Sequence, residues 1–265
     1  MRVDEKPIED DEALGAEFDL MAEWTAQAVL DLGADHAVPA GCRGSGSPAE
    51  LTWLGEACGL GPGTVLLDVG AGVGGPAAFA VEHFGVLPLL VEPMPRACRA
   101  AARLFSPAVL VGSGDRLPLS DSAVDAAWCL GVLCNTEAKA EVLAEIGRVL
   151  RPGGSLGLLV LVADEPRPPG APAGNVFPSS AEVSKLLIDA GFRLEEQRWT
   201  AEFGEAPSPW PDRIAEVDQV VDRHHATDPR LGLIRAQERR LGGLLGDGTV
   251  RSLVVHATRP AASHR

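Results

Sequence analysis

Between residues 64 and 163, short apolar runs alternate with stretches of helical spacing. The runs at 64–69, 86–92, 108–112, 124–130 and 156–163 are almost continuously apolar, the pattern of strands covered on both faces. The segments 75–84, 94–105 and 137–150 between them space their apolar residues as helices do. Such alternation implies right-handed crossovers, and so an α/β fold: a parallel sheet with helices on both faces. Pro88, inside the second run, fits a strand only where its nitrogen faces no partner.

The flanks read differently. From about Asp11 to Leu32, Leu14, Phe18, Met21, Val29 and Leu32 recur at helical spacing, with Trp24 at the edge of the stripe. Residues 1–12 before it are acidic and expected to fray. A loop rich in Gly, Ser and Pro ends at Ser47-Pro-Ala-Glu50, which has the form of a capping box and predicts a helix through Leu51, Leu54 and Cys58. Ser179-Ser-Ala-Glu182 opens another helix, ending at Gly191. Strands are expected at 192–200 and 250–259. Two amphipathic helices fit the interval, about 212–225 (Ile214, Val217, Val220, Val221) and 229–245 (Leu231, Ile234, Leu241, Leu245). The expected organisation is a helical lid over 1–60, a core over 61–204, a helical insert capping a substrate mouth over 205–248, and a last strand with tail over 249–265.

Composition narrows the classes. The 265 residues are 46% hydrophobic and 23% charged, enough to bury a full core. The net charge of −14 argues against a phosphate-binding surface, hence against nucleic acid. No signal peptide is legible near Met1, and the longest apolar run, Leu156 to Ala163, is too short to span a membrane. Five cysteines without a C-x-x-C pair fit a reducing cytoplasm. His224 and His225 are adjacent and point to different sides of a helix, so no metal site is expected.

The chemistry centres on Asp68-Val-Gly70-Ala-Gly72-Val-Gly74-Gly75-Pro76, a glycine turn between strand and helix that brings backbone close to a ligand. Glu92 ends the next strand, where an acid can accept both hydroxyls of a ribose. Gly114-Asp115-Arg116-Leu117-Pro118, Val124 to Leu130, and Arg148-Val-Leu-Arg-Pro-Gly-Gly154 follow in order. This set, over residues 47–200, resembles the class I S-adenosylmethionine-dependent methyltransferases, in particular the small-molecule branch with a G-x-G-G-P turn. A nicotinamide dehydrogenase would share only the turn and Glu92.

The resemblance implies a Rossmann-like sheet with an antiparallel last strand, N-terminal helices and a helical insert before that strand. It implies S-adenosylmethionine as cofactor and S-adenosylhomocysteine as product. The cofactor residues it implies are Asp68, Gly70, Gly72, Gly74, Glu92, Pro93, Met94, Asp115, Arg116 and Cys129. Asp68 either meets the ligand or supports the turn. Around the transferred methyl, candidate substrate contacts are Phe18, Trp24, Arg43, Leu130, Cys134 and Asn135. In-line methyl transfer rests on placement, and a base is needed only where the nucleophile keeps its proton. Candidate bases are His36 and His224, with His225, Asp164 and Glu165 as others. The expected partner is a small, specialised metabolite, with no nucleic acid or membrane, and the chain is read as a monomer or homodimer. A cyclase or rearrangement enzyme that holds the cofactor structurally, and a non-catalytic partner subunit, remain as alternatives.

Overall fold

The computed structural model describes residues 16–261. The acidic start, the predicted helix beginning near Asp11 with Leu14, and the end of the tail lie outside the described residues. A π-helical turn, Ala16–Leu20, leads into α1 (Met21–Leu32). Short α2 (Ala37–Gly41) and α3 (Pro48–Ala57) follow. Ser47 and Glu50 close the predicted capping box on α3, with Ser47 N donating to Glu50 at 2.5 Å.

The core runs β1 (Val65–Val69), α4 (Gly75–Phe84), β2 (Leu87–Glu92), α5 (Pro95–Phe105), β3 (Ala108–Val111), β4 (Val124–Leu130), α6 (Lys139–Val149) and β5 (Leu150–Ala163). It continues through α7 (Ser180–Asp189), β6 (Arg193–Trp199), α8 (Trp210–His224), α9 (Pro229–Gly246) and β7 (Val250–Thr258). The seven strands form one sheet in the order β3-β2-β1-β4-β5-β7-β6, and only β7 runs against its neighbours. This is the Rossmann-like arrangement with helices on both faces, and no described helix is long and apolar enough to cross a membrane.

Local chemistry explains the details. Pro88 pairs with Leu66 on β1, but β3 joins β2 only from Leu89, so the proline's missing N–H faces an unpaired side. β5 starts at Leu150, six residues before the predicted 156, because Arg151–Gly154 continues extended through a register shift against β4. The two faces of the sheet carry separate cores. Leu67, Val69, Cys129 and Leu158 pack with α6, whereas Leu66, Trp128 and Leu130 pack with α3 and α4.

The insert is helical as predicted, and its second stripe holds at Leu231, Ile234 and Leu241 but ends on buried Leu244 in place of Leu245, which is 41% exposed. Its apolar faces are covered by this chain. Val217, Val220, Val221, Leu231 and Ile234 pack against Met21, Trp24, Ala28 and Val29 of α1. Leu244 joins Phe177, Cys134, Ala163 and Val250 beyond the end of β5. The α8–α9 pair therefore reaches from the N-terminal helices to the 164–178 loop.

Candidate functional site

In an open parallel sheet, ligands sit beyond the carboxyl ends of the strands where the order reverses, here between β1 and β4. β1 delivers Asp68 and then the glycine turn. Gly70 and Gly72 adopt positive φ of 68° and 55°, favoured by glycine. A side chain on Gly70 would meet Val132 at 2.5 Å, whereas one on Gly72 would project into open space. The turn thus has one packed wall and one free wall, and the free wall is where a ligand can approach the backbone.

Glu92 closes the site from β2. It is 5% exposed, and its two carboxylate oxygens accept from Gly72 N at 2.8 Å and Met94 N at 2.9 Å. Burial raises its pKa, partly offset by those two donors. Asp68 is buried more deeply. Burial first, and the Glu92 charge second, push its carboxyl up to about 7, against a donor from the Ala77 amide. Ala77 lies in the first turn of α4, whose N-cap Gly74 has no side chain, so the Asp68 carboxyl faces the start of that helix. Its Oδ2 has no hydrogen-bond partner. A buried acceptor without a partner is uncommon in a folded protein.

The remaining cofactor candidates differ in exposure. Met94 packs with Ala22, Ala26, Val73 and Ala97, so α1 covers the stretch after Glu92. Asp115 and Arg116 are exposed, and Ser113 Oγ donates to the Asp115 carboxylate. Cys129 is fully buried in the α6-side core and its thiol is pushed far up by burial, so only its backbone is available.

Several substrate and base candidates are corrected by their partners. Trp24 is not on the edge of a stripe or facing a cleft; it is buried and stacked on His225, with ring centroids 4.0 Å apart. Phe18 is 41% exposed. Leu130 and Cys134 are core residues, and burial lifts the Cys134 thiol to about 11. Arg43, expected at the substrate, is instead paired with Asp218 at 2.5 Å and Glu238 at 3.0 Å. His36 has both ring nitrogens engaged, with Glu216 at 2.6 Å and the Gly33 carbonyl at 3.3 Å. His224 lies at the end of α8, 3.8 Å from Asp31. His36 is therefore not placed as a free base.

Asn135 is held by its neighbours at the end of β4. Its amide donates to Gly131 O at 2.7 Å, directly after β4, and accepts from Asn175 at 2.5 Å. Asn175, buried in the 164–178 loop, and Asp19, which accepts from Arg96 N at 2.7 Å, escaped sequence reasoning. Neither sits in a motif, and both act across long sequence separations.

A model of the methyltransferase domain family matches residues 67–158. An uncharacterized methyltransferase of Mycobacterium tuberculosis is 34% identical over 129 residues, 46% of this chain and 49% of its own. The chain thus spans about half the length of that curated relative. Among solved structures, the [4+2]-cyclase SpnF superposes with a TM-score of 0.70 at 20% identity, over 94% of this chain and 97% of its own. The geranyl diphosphate C-methyltransferase of Streptomyces coelicolor A3(2) gives 0.59 at 18% identity, over 80% and 78%. At these identities the structural likeness is one of fold.

Proposed function

For a chain that carries a class I S-adenosylmethionine-dependent methyltransferase domain, we propose methyl transfer from S-adenosylmethionine to a small, uncharged or cationic metabolite. The observation that carries this reading is the pair of buried acids around an open glycine turn. Glu92 is oriented by two backbone donors, and Asp68 keeps an unpartnered oxygen.

The residues fit the cofactor. Glu92 would accept the ribose hydroxyls, while the backbone at Gly70, Gly72 and Gly74 would border the sugar and methionine. Asp68 Oδ2 would face the ammonium group, a cation that satisfies a buried acceptor. Pro93 and Met94 would flank the adenine, with Asp115 at its amine and Arg116 at its edge. Bound there, the cofactor supplies a methyl group already activated on sulfur. The chain's own contribution is then placement and exclusion of water. The α8–α9 pair and α1 would roof the acceptor, with Phe18, Asn135 and the 164–178 loop at its margin. His36 is held through both ring nitrogens, so proton removal, where the acceptor requires it, would fall to the exposed Asp164 or Glu165 after β5, or to His224. The preference for an uncharged or cationic acceptor follows from Arg43 being neutralised by two carboxylates.

Calorimetry with S-adenosylmethionine and S-adenosylhomocysteine tests the cofactor. Both should bind, and Glu92→Ala should weaken them by roughly 1–3 kcal/mol, the usual cost of stranded donors. Tight NAD binding with no response to either sulfur compound would reject the reading. The likeness to a cyclase over nearly the whole chain favours one second reading, a rearrangement with the cofactor bound structurally. Radiolabel from the cofactor methyl appearing in product, or staying out of it, separates the two.

A further inference from the structure

Arg43 stands at a junction between the insert and the cofactor turns. On one side it enters a closed ring of four charges. Its guanidinium meets Asp218 of α8 at 2.5 Å and Glu238 of α9 at 3.0 Å. Arg235 of α9 meets the same two carboxylates, at 3.1 and 2.6 Å, and reaches Asp222 at 2.8 Å. Each arginine bridges both acids, so the relative position of α8, α9 and the Arg43 loop is fixed at one point. The side chains of Arg43, Asp218 and Glu238 are about one-third exposed, and that of Arg235 is 18% exposed. The ring is half-buried, where geometry counts for more than in an open surface pair.

On the other side, the backbone around Arg43 lies on both turns that border the cofactor site. Gly41 is pressed against Gly75: a Cβ on Gly75 would fall on the Gly41 carbonyl carbon and the Cys42 nitrogen. Gly44 O lies 3.2 Å from where a Cβ on Gly131 would be, at the end of β4. Cys42 is near enough to Asp68 for that charge to raise its thiol pKa, after the larger effect of burial. Residues 41–44 therefore form a wedge between the β1 and β4 turns, and Arg43 is the side chain that fastens the wedge to the insert.

We propose that Arg43 is a positioning residue that transmits the position of the α8–α9 insert, through the 41–44 backbone, to the glycine turn and the end of β4. It rests on the cofactor reading above in one respect only, that these turns bind the nucleoside. A substrate that shifts the insert thereby alters the grip on the cofactor, and the cofactor in turn biases the insert, as reciprocal coupling demands.

The experiment compares Arg43→Ala, Arg43→Lys, the insert variant Asp218→Asn/Glu238→Gln, and the combination of Arg43→Ala with the insert variant. S-adenosylhomocysteine affinity is measured by calorimetry, and amide hydrogen exchange is followed at 70–76 and 129–135 in the free protein. Arg43→Ala and the insert variant should each lower affinity about fivefold to tenfold and speed exchange at both turns, and the combination should go no further. Arg43→Lys, which keeps one ion pair, should recover part of both effects. A loss with Arg43→Ala alone, or a gain of affinity in the insert variant, would make Arg43 a direct ligand and overturn the proposal. So would exchange at both turns that is unchanged in every variant. If the unmodified protein fails to bind S-adenosylhomocysteine, the cofactor reading is what falls, and the exchange comparison still decides the coupling. If Arg43→Ala does not fold, Arg43→Lys and the insert variant carry the same test.

Discussion

Replacing Asp68 by Asn should make the free protein more stable above neutral pH and the cofactor bind less well. The folded carboxyl titrates near 7, against an ordinary value of 3.8, because it is buried beside Glu92. Holding it ionised above pH 7 costs roughly 4 kcal/mol, since each tenfold change in proton affinity is worth about 1.4 kcal/mol. The sign follows from proton binding. Between about pH 4 and 7 the folded state holds a proton the unfolded state has lost, so this group's contribution to stability declines as pH rises through that window. A ligand ammonium beside Oδ2 reverses the preference by favouring the ionised form. Binding below pH 7 must then release the proton, and affinity should climb by about 25-fold between pH 5.5 and 7.5 before levelling off.

Calorimetric titration of S-adenosylhomocysteine across that range, in buffers of differing ionisation heat, counts the proton directly. Asp68→Asn keeps an oxygen for the Ala77 amide and should bind with a nearly flat pH profile. Glu92, Cys42 and Cys129 share the Asp68 field, so the variant is the control that isolates its part. A wild-type profile without slope, or the same slope in Asp68→Asn, would remove Asp68 from contact with a cationic ligand.

Two further outcomes are open to measurement. Gly75→Ala should cost about 1–3 kcal/mol in thermal or denaturant unfolding, because the new methyl falls on the Gly41–Cys42 backbone and forces α2 off the turn; an unchanged midpoint would show that α2 gives way freely. Replacing residues 205–248 by a short glycine linker should leave S-adenosylhomocysteine binding weakened but measurable, while activity on the natural acceptor is lost. Full activity would defeat the cap, and a change from dimer to monomer with activity intact would make the insert an interface.

The inner strands were legible because β1, β2 and β4 are short apolar runs with a turn at the end, and burial on two faces leaves little choice of residue. The acids at the site were legible for a related reason: Asp68 and Glu92 are polar residues that end or interrupt such runs. Other assignments failed where tertiary partners decide. Arg43 and His36 look free in the sequence, yet their acids lie 175 and 180 residues away. Trp24, read at the edge of the stripe, is buried because His225, from the insert, supplies a flat surface for it. Helical periodicity describes one face at a time, and α1 is contacted on two, by α5 through Ala22 and Ala26 and by α8 through Trp24, Ala28 and Val29.

The place where the insert joins the sheet has a consequence for how such proteins diversify. Trp199 at the end of β6 faces Leu253 of β7, and Val250 at the start of β7 faces Ala163. Both ends of the excursion are therefore clamped side by side by strand pairing, and residues 200–249 form the loop of a hairpin. Changing the length of such a loop costs only the slowly growing entropy of closing it, and leaves the register of β5, β6 and β7 untouched. The segment is therefore exchangeable as far as the sheet is concerned, and its tie to the rest of the protein is the Arg43 contact: a lineage, or a designer building chimeras, that replaces it must supply acids in the places of Asp218 and Glu238.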